Sequence, residues 1–264
     1  MPGRVFIIAG SDPSGGAGIQ ADIKTVTALG GYAATAITAL TAQDTHTVHA
    51  IQEIPEAFIR QQIAVVADDI GADCVKTGML HRRSVIECVA QALDAHLAGV
   101  PVVIDPVMVA KGGARLLDDD TTDSLMRLLV PRAALLTPNL PEAEVLTGMT
   151  ITTVADMERA AEKLLAAGAR AVLLKGGHLA GPDLTDLLLT GDGERHVFSG
   201  RRIDTRHTHG TGCTTASAVA CGIAQAMPLP DAVARARAYV RKAILTAPGL
   251  GGGHGPLNHG HTVG

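Results

Sequence analysis

The chain has 264 residues, of which 47% are hydrophobic and only 2% are aromatic. The formal net charge is -4 and no long basic run is present, which argues against a nucleic-acid-binding surface. No apolar stretch reaches the roughly 18 residues of a transmembrane helix, so we expect a soluble protein without a membrane partner. The length suits one large α/β domain over residues 1–264, with a core of aliphatic side chains.

The N-terminal sequence and the cysteines predict a cytoplasmic location. The stretch MPGRVFIIAGSD lacks the shape of a signal peptide, because its apolar part is short and ends in a turn. The four cysteines, Cys74, Cys88, Cys213 and Cys221, form neither a CxxC pair nor a zinc-finger pattern. We therefore expect free thiols that mostly pack in the core, with Cys213 as the exception.

In chain order, five short apolar runs have the character of strands that are buried on both faces of a parallel sheet. They cover residues 4–10, 74–78, 100–106, 133–139 and 171–177. Helices are predicted for residues 84–97, 121–129 and 153–167, the last with a cap at its start and Gly168 at its end. Hairpins are predicted for residues 32–43 with 48–54, and for 185–190 with 196–203.

This alternation of strands and helices predicts the fold class. We expect a doubly wound α/β domain with a mostly parallel sheet flanked by helices, from which the first hairpin stands off as a small β flap.

Polar residues cluster at the carboxyl ends of the five predicted strands. They are Gly10-Ser11-Asp12, Lys76-Thr77-Gly78, Asp105, Thr137-Pro138-Asn139 and Lys175-Gly176-Gly177. Loops are generally polar, so one such end would mean little, but all five strands show it. Because open α/β sheets bind ligands outside this edge, the pattern predicts one shared site.

A glycine-bearing turn, His209-Gly-Thr-Gly-Cys, precedes a run of small, helix-compatible residues. The free N–H groups and positive partial charge of a helix start bind phosphate; the alternative is a turn that only permits tight packing. We expect the helix start to acidify the thiol of Cys213, which could then act as a base, a nucleophile or a redox centre. Neither a P-loop nor a GxGxxG fingerprint is present.

Eight motifs follow one another over nearly the whole chain. They are AGSDPSGGAGIQADIKT (9–25), TALTAQDT (38–45), KTGML (76–80), DPVMVAKGG (105–113), TPNLPEAEVLTG (137–148), LLKGGH (173–178), THGTGCT (208–214) and GHGPLNH (253–259). Together they resemble the ribokinase-like kinases, and within these the hydroxymethylpyrimidine/phosphomethylpyrimidine kinases of thiamine biosynthesis.

The resemblance implies a catalytic role for the glycine turn. Its backbone N–H groups would form an anion hole for the transferred phosphoryl group, with Gly210, Thr211, Gly212 and Cys213 as its members. Cys213 would be the base that takes the proton of the attacking hydroxyl group, at a position where most of the superfamily has Asp. We interpret His209 as structural.

The resemblance also implies sites for ATP and Mg²⁺. The ATP-binding residues would be Asn139, Lys175, Thr208, Gly210 and Gly212, and the metal ligands would be Asp105, Asn139 and Glu142. Alternatives are open for Glu142, as a first-turn carboxylate facing the helix dipole, and for Lys175, as a solvated loop lysine. A requirement for a monovalent cation is also open.

The implied pyrimidine pocket lies in the N-terminal third. Asp22 and Gln43 would bond the ring nitrogens and the exocyclic amine, because a carboxylate accepts and an amide both donates and accepts. Gly10, Met79 and Val107 would line the walls, although Met79 and Val107 also suit a core.

The function that the resemblance implies is ATP-dependent phosphorylation of 4-amino-5-hydroxymethyl-2-methylpyrimidine, and then of its monophosphate. A pyridoxal kinase of the same fold is the nearest alternative, and a silent nucleotide sensor is another. A thiol redox enzyme using Cys213 is disfavoured, because Cys221 would lie about 12 Å along the same helix, too far for a disulfide. The family and the hairpin suggest a homodimer.

Overall fold

The computed structural model describes residues 2–108, 119–179 and 181–263. The strands are β1 (Arg4–Ser11), β2 (Tyr32–Gln43), β3 (Val48–Glu53), β4 (Cys74–Thr77), β5 (Val102–Ile104), β6 (Ala133–Leu136), β7 (Ala171–Lys175), β8 (Asp183–Thr190) and β9 (Arg195–Arg201). The helices are α1 (Gly18–Ala28), α2 (Glu56–Asp69), α3 (Arg83–His96), α4 (Asp119–Ser124), α5 (Leu140–Thr147), α6 (Val154–Ala166), α7 (Thr211–Ala224) and α8 (Leu229–Leu245).

These strands form one sheet in the order β3-β2-β1-β4-β5-β6-β7-β8-β9. The neighbours from β2 to β7 pair in parallel, and β3, β8 and β9 are added antiparallel at the two edges. The prediction of a doubly wound, mostly parallel α/β fold is confirmed.

The buried strands divide their side chains between two helical layers. In β1, Phe6 and Ile8 pack into a core with α2, α3, α5 and α6, whereas Val5, Ile7 and Ala9 pack with α1, α7 and α8. Since side chains alternate between the faces of a strand, burial on both faces requires an uninterrupted apolar run. This explains why the parallel strands could be found from the sequence.

Both predicted hairpins are present, at opposite edges of the sheet. The first part of β2 pairs with β1 as far as Leu40, and the end of β2, from Ala39 to Gln43, pairs with β3. The β2–β3 hairpin therefore extends beyond the carboxyl end of β1, in the position of the predicted flap. The second hairpin, β8–β9, joins the sheet through β7.

Helix α6 follows its sequence signals closely. The side chain of Thr153 accepts a hydrogen bond from the amide of Asp156, and Gly168 has a φ of 112° just after the helix. The helix predicted at 121–129 begins as α4 and continues through a π-helical turn at Leu125–Leu129.

Residues 109–113, the end of the motif DPVMVAKGG, lie outside the described residues. Among the helices that are described, none is both long and apolar enough to cross a membrane.

Candidate active site

Loops at the carboxyl edge of the parallel strands surround a cavity of about 940 Å³, a size typical of small-molecule sites. Each of the five predicted strand ends contributes to its lining, through Gly10, Lys76, Asp105, Asn139 and Lys175. Of the other candidate residues, the described lining includes Gln43, Met79, Val107, Glu142, Thr208, Gly210, Thr211, Gly212 and Cys213 but not Asp22. The structure thus brings almost all of the candidate residues together.

The glycine turn forms the start of helix α7. Gly210 is the N-cap with a φ of 83°, and a Cβ atom there would overlap the carbonyl oxygen of Gly16. The amides of Gly212 and Cys213 donate no hydrogen bond to any residue that the structure describes. Two free amides at a helix start that border a cavity can bind an anion.

A buried hydrogen bond joins this turn to the loop after β1. The Nε2 atom of His209 lies 2.8 Å from Oδ2 of Asp12, and both side chains are almost inaccessible to solvent. Burial by itself would raise the pKa of Asp12, but hydrogen bonds from His209 and Ser14 lower it. Gly16 leaves the space that the His209 ring occupies. His209 therefore fixes the position of the turn.

Cys213 lies in the first turn of α7, where the sequence predicted an acidified thiol. That prediction is wrong for the protein without ligands: burial raises the pKa of Cys213 to about 12, although Lys76 and the amide of Gly18 act in the opposite direction. The helix start is only one contribution, and the removal of the sulfur from water outweighs it. Cys213 is consequently a neutral thiol at pH 7 and needs further stabilisation to become a thiolate.

Lys175, the last residue of β7, forms an ion pair with the carboxylate of Asp105. Its Nζ atom lies 3.1 Å from Oδ1 of Asp105, which also accepts a hydrogen bond from Thr137. Burial would lower the pKa of Lys175, yet the carboxylates of Asp105 and Glu142 raise it. With 15% of its side chain exposed, Lys175 is not a solvated loop lysine. A Cβ atom on Gly212 would lie 3.5 Å from Nζ of Lys175 and 3.6 Å from Oδ2 of Asp105.

Asn139 and Glu142 form a capping box at the start of α5. The side-chain oxygen of Asn139 accepts from the amide of Glu142 at 2.9 Å, and Oε2 of Glu142 accepts from the amide of Asn139 at 2.8 Å. Burial raises the pKa of Glu142 to about 7, and Asp105 adds to this effect, whereas Lys175 opposes it. Both residues thus have a structural role as well as a place in the cavity lining.

The donor set suits Mg²⁺ that arrives with nucleotide phosphates better than a permanently bound ion. No group of three His, Cys, Asp or Glu side chains is arranged for a metal in the described ranges. Asp105 and Glu142 are two buried carboxylates that border one cavity, and Mg²⁺ typically takes one or two carboxylates plus phosphate oxygens and water. The oxygen of Asn139 is already used in the helix cap, so it is the weakest of the three predicted ligands.

The residues predicted to hold a pyrimidine border the cavity near the β2–β3 hairpin. Gln43, Met79 and Val107 are all half-buried rather than core residues, which makes their side chains accessible to a ligand. A Cβ atom on Gly10 would lie 3.4 Å from Sδ of Met79, so the glycine allows Met79 to close over the end of β1. The apolar wall and the amide of Gln43 together suit a flat, polar-edged ring.

Asp22 is the one candidate whose position corrects the prediction. Its side chain is 0% exposed, and its oxygens lie 3.0 and 2.8 Å from Nζ of Lys76. Ser217 donates a further hydrogen bond of 2.6 Å to Oδ1. The carboxylate is enclosed below the cavity and is not accessible to the edge of a ring.

Sequence reasoning placed Lys76 at a strand end of the shared site without giving it a role, and it missed Ser217. A signal existed: Lys76 stands in the strand sequence Cys-Val-Lys-Thr, where a buried cation requires a buried anion. Ser217 follows Cys213 by four residues and therefore shares its face of α7. The partner of Lys76 could not be identified, because Asp22 lies 54 residues earlier in the chain.

Comparisons with known proteins identify the family of this chain. A family model described as phosphomethylpyrimidine kinase matches residues 12–258. The hydroxymethylpyrimidine/phosphomethylpyrimidine kinase of Streptomyces coelicolor is 48% identical over 263 residues, covering 100% of this chain and 96% of that protein. The thiamine biosynthesis bifunctional protein of Geobacter sulfurreducens is 51% identical over 257 residues, which cover 97% of this chain but only 52% of that longer protein.

Among solved structures, the ADP complex of Bacillus subtilis pyridoxal kinase superposes with a TM-score of 0.90 at 37% identity, and the match covers 98% of each chain. The similarity in sequence and in fold thus extends over nearly the whole chain. On these findings, the chain belongs to the phosphomethylpyrimidine kinase family.

Proposed function

We propose that this protein is an ATP-dependent kinase that phosphorylates 4-amino-5-hydroxymethyl-2-methylpyrimidine and then its monophosphate, as a step in thiamine biosynthesis. The observation that carries the proposal is one cavity lined both by the helix start at Gly212 and Cys213, beside Lys175 and Asp105, and by Gln43. An anion-binding helix start and a pocket for a polar ring are the two halves that such a transfer requires.

The glycine turn holds the transferred group in this proposal. The amides of Gly212 and Cys213 stabilise the negative charge on the γ-phosphoryl group, and Gly210 and Thr211 shape the turn that presents them. Cys213 as thiolate accepts the proton of the substrate hydroxyl while the oxygen bonds to the γ-phosphorus and the bond to ADP breaks. Thr208, Lys175 and Asn139 contact the ATP phosphates.

Mg²⁺ would be held by Asp105 and Glu142, and when bound it would neutralise charge on the phosphates. Lys175 now pairs with Asp105, so the lysine is free to turn to a phosphate oxygen once a cation occupies the carboxylate. The capping-box contact of Glu142 uses Oε2, and the amide of Met108 also donates to this carboxylate, so the metal would share Glu142 with these backbone contacts.

Recognition of the pyrimidine falls to Gln43, supported by Gly10, Met79 and Val107. The amide of Gln43 can donate to a ring nitrogen and accept from the exocyclic amine. Asp22, which the sequence placed beside Gln43, acts from beneath the cavity in this proposal, because its oxygens are already bonded to Lys76 and Ser217.

A pyridoxal kinase is the second candidate, since a solved structure of that name has the same fold over almost the whole chain. Pyridoxine also carries a hydroxymethyl group on a flat heteroaromatic ring. A thiol redox function finds no support: the four cysteines are free, and Cys221 is enclosed against the backbone of Val26 and Leu29.

The test is a coupled ADP-release assay with the pyrimidine alcohol, its monophosphate and pyridoxine as parallel substrates. We expect turnover of both pyrimidines, at kcat/KM values above that of pyridoxine. A higher kcat/KM for pyridoxine would assign the second candidate instead. ADP release that does not depend on any of the three compounds would contradict the proposal.

Three further properties belong to the same proposal. Residues 1–264 act as one kinase domain in the cytoplasm, without nucleic acid or membrane partners, and two copies associate through the β2–β3 hairpin, whose Tyr32 and Leu40 are exposed apolar side chains. Analytical ultracentrifugation of the protein and of a Leu40→Glu variant tests the dimer. Replacing potassium by choline in the assay tests for a monovalent cation.

A further inference from the structure

Lys76 is a fully buried lysine that takes no part in the proposed steps. It lies in strand β4, its side chain is 0% exposed, and it nevertheless borders the cavity. Its Nζ atom is 2.8 Å from Oδ2 of Asp22, whose other oxygen accepts from Ser217. A Cβ atom on Gly78 would lie 3.0 Å from this Nζ, so the glycine provides the room for the ammonium group.

Helix geometry places this ion pair beside Cys213. Ser217 and Cys213 are four residues apart on α7, and residues at this spacing occupy the same face one turn apart. Because Ser217 donates a hydrogen bond to Asp22, the Lys76–Asp22 pair lies against the face of α7 that carries the thiol. Lys76 and Cys213 also line the same cavity.

Four charged groups from four elements face the thiol. The cations are Lys76 from β4 and Lys175 from β7, and the anions are Asp22 from α1 and Asp105 after β5. Burial is the largest influence and raises the pKa of Cys213; Lys76 is the strongest influence that lowers it. The amide of Gly18 also acts to lower it.

We propose that Lys76 is a positioning residue for phosphoryl transfer: its ammonium group, held by Asp22 and Ser217, stabilises Cys213 as a thiolate. The proposal deepens the proposed function, on which the role of Cys213 as a base rests. Asp22 is then the group that keeps Lys76 charged inside the protein, since burial would lower the pKa of Lys76 and the carboxylate raises it. A cation fixed in this way costs little reorganisation when the thiolate forms.

The direct test measures the thiolate without ATP or substrate. The rate of alkylation of Cys213 by iodoacetamide, followed by mass spectrometry of its peptide between pH 7 and 9.5, reports the thiolate fraction. We expect Lys76→Met to slow alkylation about tenfold, which corresponds to a rise of about one unit in the thiol pKa. A Cys213→Ser variant verifies which peptide carries the signal.

The sign of the change separates this role from a purely structural one. Loosening of the fold would expose Cys213 to water, bring its pKa towards about 8.5 and accelerate alkylation. The double variant Lys76→Met/Asp22→Asn removes the pair without leaving an unpaired buried carboxylate, and it should also be slower than the parent. Parent-like or faster alkylation in the double variant, or in a folded Lys76→Met protein, overturns the proposal.

Lys175→Met is the matched control, because it removes a second buried ammonium group from the same cavity. It should slow alkylation less than Lys76→Met does, since Lys76 is the stronger influence on the thiol. An equal effect would show a general loss of positive charge and would contradict a specific role for Lys76.

Kinetics distinguish failure of this proposal from failure of the proposed function. In the kinase assay, Lys76→Met should lower kcat with little change in the KM for ATP, and the rise of kcat with pH should shift to higher pH. If Cys213→Ala is inactive while Lys76→Met alkylates like the parent, the role of Lys76 is wrong and the function stands. If alkylation slows as expected but Cys213→Ala turns over normally, the coupling stands and Cys213 is not the base.

Discussion

Two lysine–aspartate pairs each contribute their lysine to the cavity lining, and they differ in how enclosed they are. Lys76 and Asp22 are both 0% exposed and 2.8 Å apart, and Ser217 adds a third contact. Lys175 is 15% exposed and lies 3.1 Å from Asp105. In the enclosed pair, ligands do not reach the two side chains. In the accessible pair, the lysine can bind a phosphate and the aspartate can bind a cation when these arrive. The same two residue types thus form a fixed charge in one place and an exchangeable one in the other.

Cys213 is influenced by charged groups of both pairs, and its removal should have the largest effect. We expect Cys213→Ala to lower kcat by about 10²- to 10⁴-fold, the usual contribution of a positioned base, with little change in ATP affinity. Steady-state kinetics and calorimetric titration with ATP provide the two numbers. Cys213→Asp should retain part of the activity, and a Cys213→Ala enzyme with the parent kcat would show that Cys213 is not the base.

Replacing each lysine by methionine tests the comparison itself. Lys76→Met should cost about 3–5 kcal/mol in the free energy of unfolding, because it leaves the buried carboxylate of Asp22 without a cation. Lys175→Met should lower the free energy of unfolding clearly less, because Asp105 borders the cavity and can take another partner there. It should instead weaken ATP binding, because Lys175 is a proposed contact of the ATP phosphates. Urea unfolding and ATP titration of both variants measure this. Equal losses of stability would contradict the distinction between an enclosed pair and an accessible pair.

Glu142, next to the accessible pair, should make stability depend on pH. Its pKa is raised from 4.5 to about 7, so the folded protein holds a proton that the unfolded chain has released. The stability from this proton is fully present below about pH 4.5 and is lost as the pH rises through about 7, a change of about 1–3 kcal/mol. Glu142→Gln preserves a capping-box acceptor and serves as the control.

The measurement is the free energy of unfolding of both proteins at a series of pH values from 5 to 7.5. The advantage of the parent over Glu142→Gln should decrease steadily across that range. A constant difference would mean that Glu142 is ionised throughout and that its burial is less complete than the structure indicates.

The smallest expected effect concerns the pyrimidine pocket. Gln43→Ala should raise the KM for the pyrimidine alcohol about tenfold, the value of one or two lost hydrogen bonds, with less effect on kcat. Asp22→Asn should leave this KM near the parent value and lower stability and kcat, because Asp22 contacts Lys76 and not the ring. Kinetics with a varied pyrimidine concentration check both, and the reverse pattern would return Asp22 to the substrate.

The sequence was sufficient for features that depend on local pattern. The five strands β1, β4, β5, β6 and β7 appear as continuous apolar runs because each is buried on both faces. Thr153 marks the start of α6, where its side chain caps the helix. The cavity followed from the polar strand ends, since parallel strands deliver their carboxyl ends to one edge.

Features that depend on contacts distant in sequence were missed or misjudged. The pairing of Lys76 with Asp22 joins residues of β4 and α1, and no local signal names the partner. The pKa of Cys213 depends on how completely the fold removes its sulfur from water, which the helix start alone could not reveal. The Asn139–Glu142 spacing was visible in the sequence, but the same spacing serves a capping box and a metal site.

A crystal structure with a non-hydrolysable ATP analogue and the pyrimidine alcohol tests the central claim most directly. We expect a γ-phosphate oxygen within about 3 Å of the amides of Gly212 and Cys213, with the alcohol oxygen in contact with the Cys213 sulfur. Lys175 should have left Asp105 for a phosphate, while Lys76 should remain on Asp22. A triphosphate bound away from residues 208–214 would contradict this mechanism.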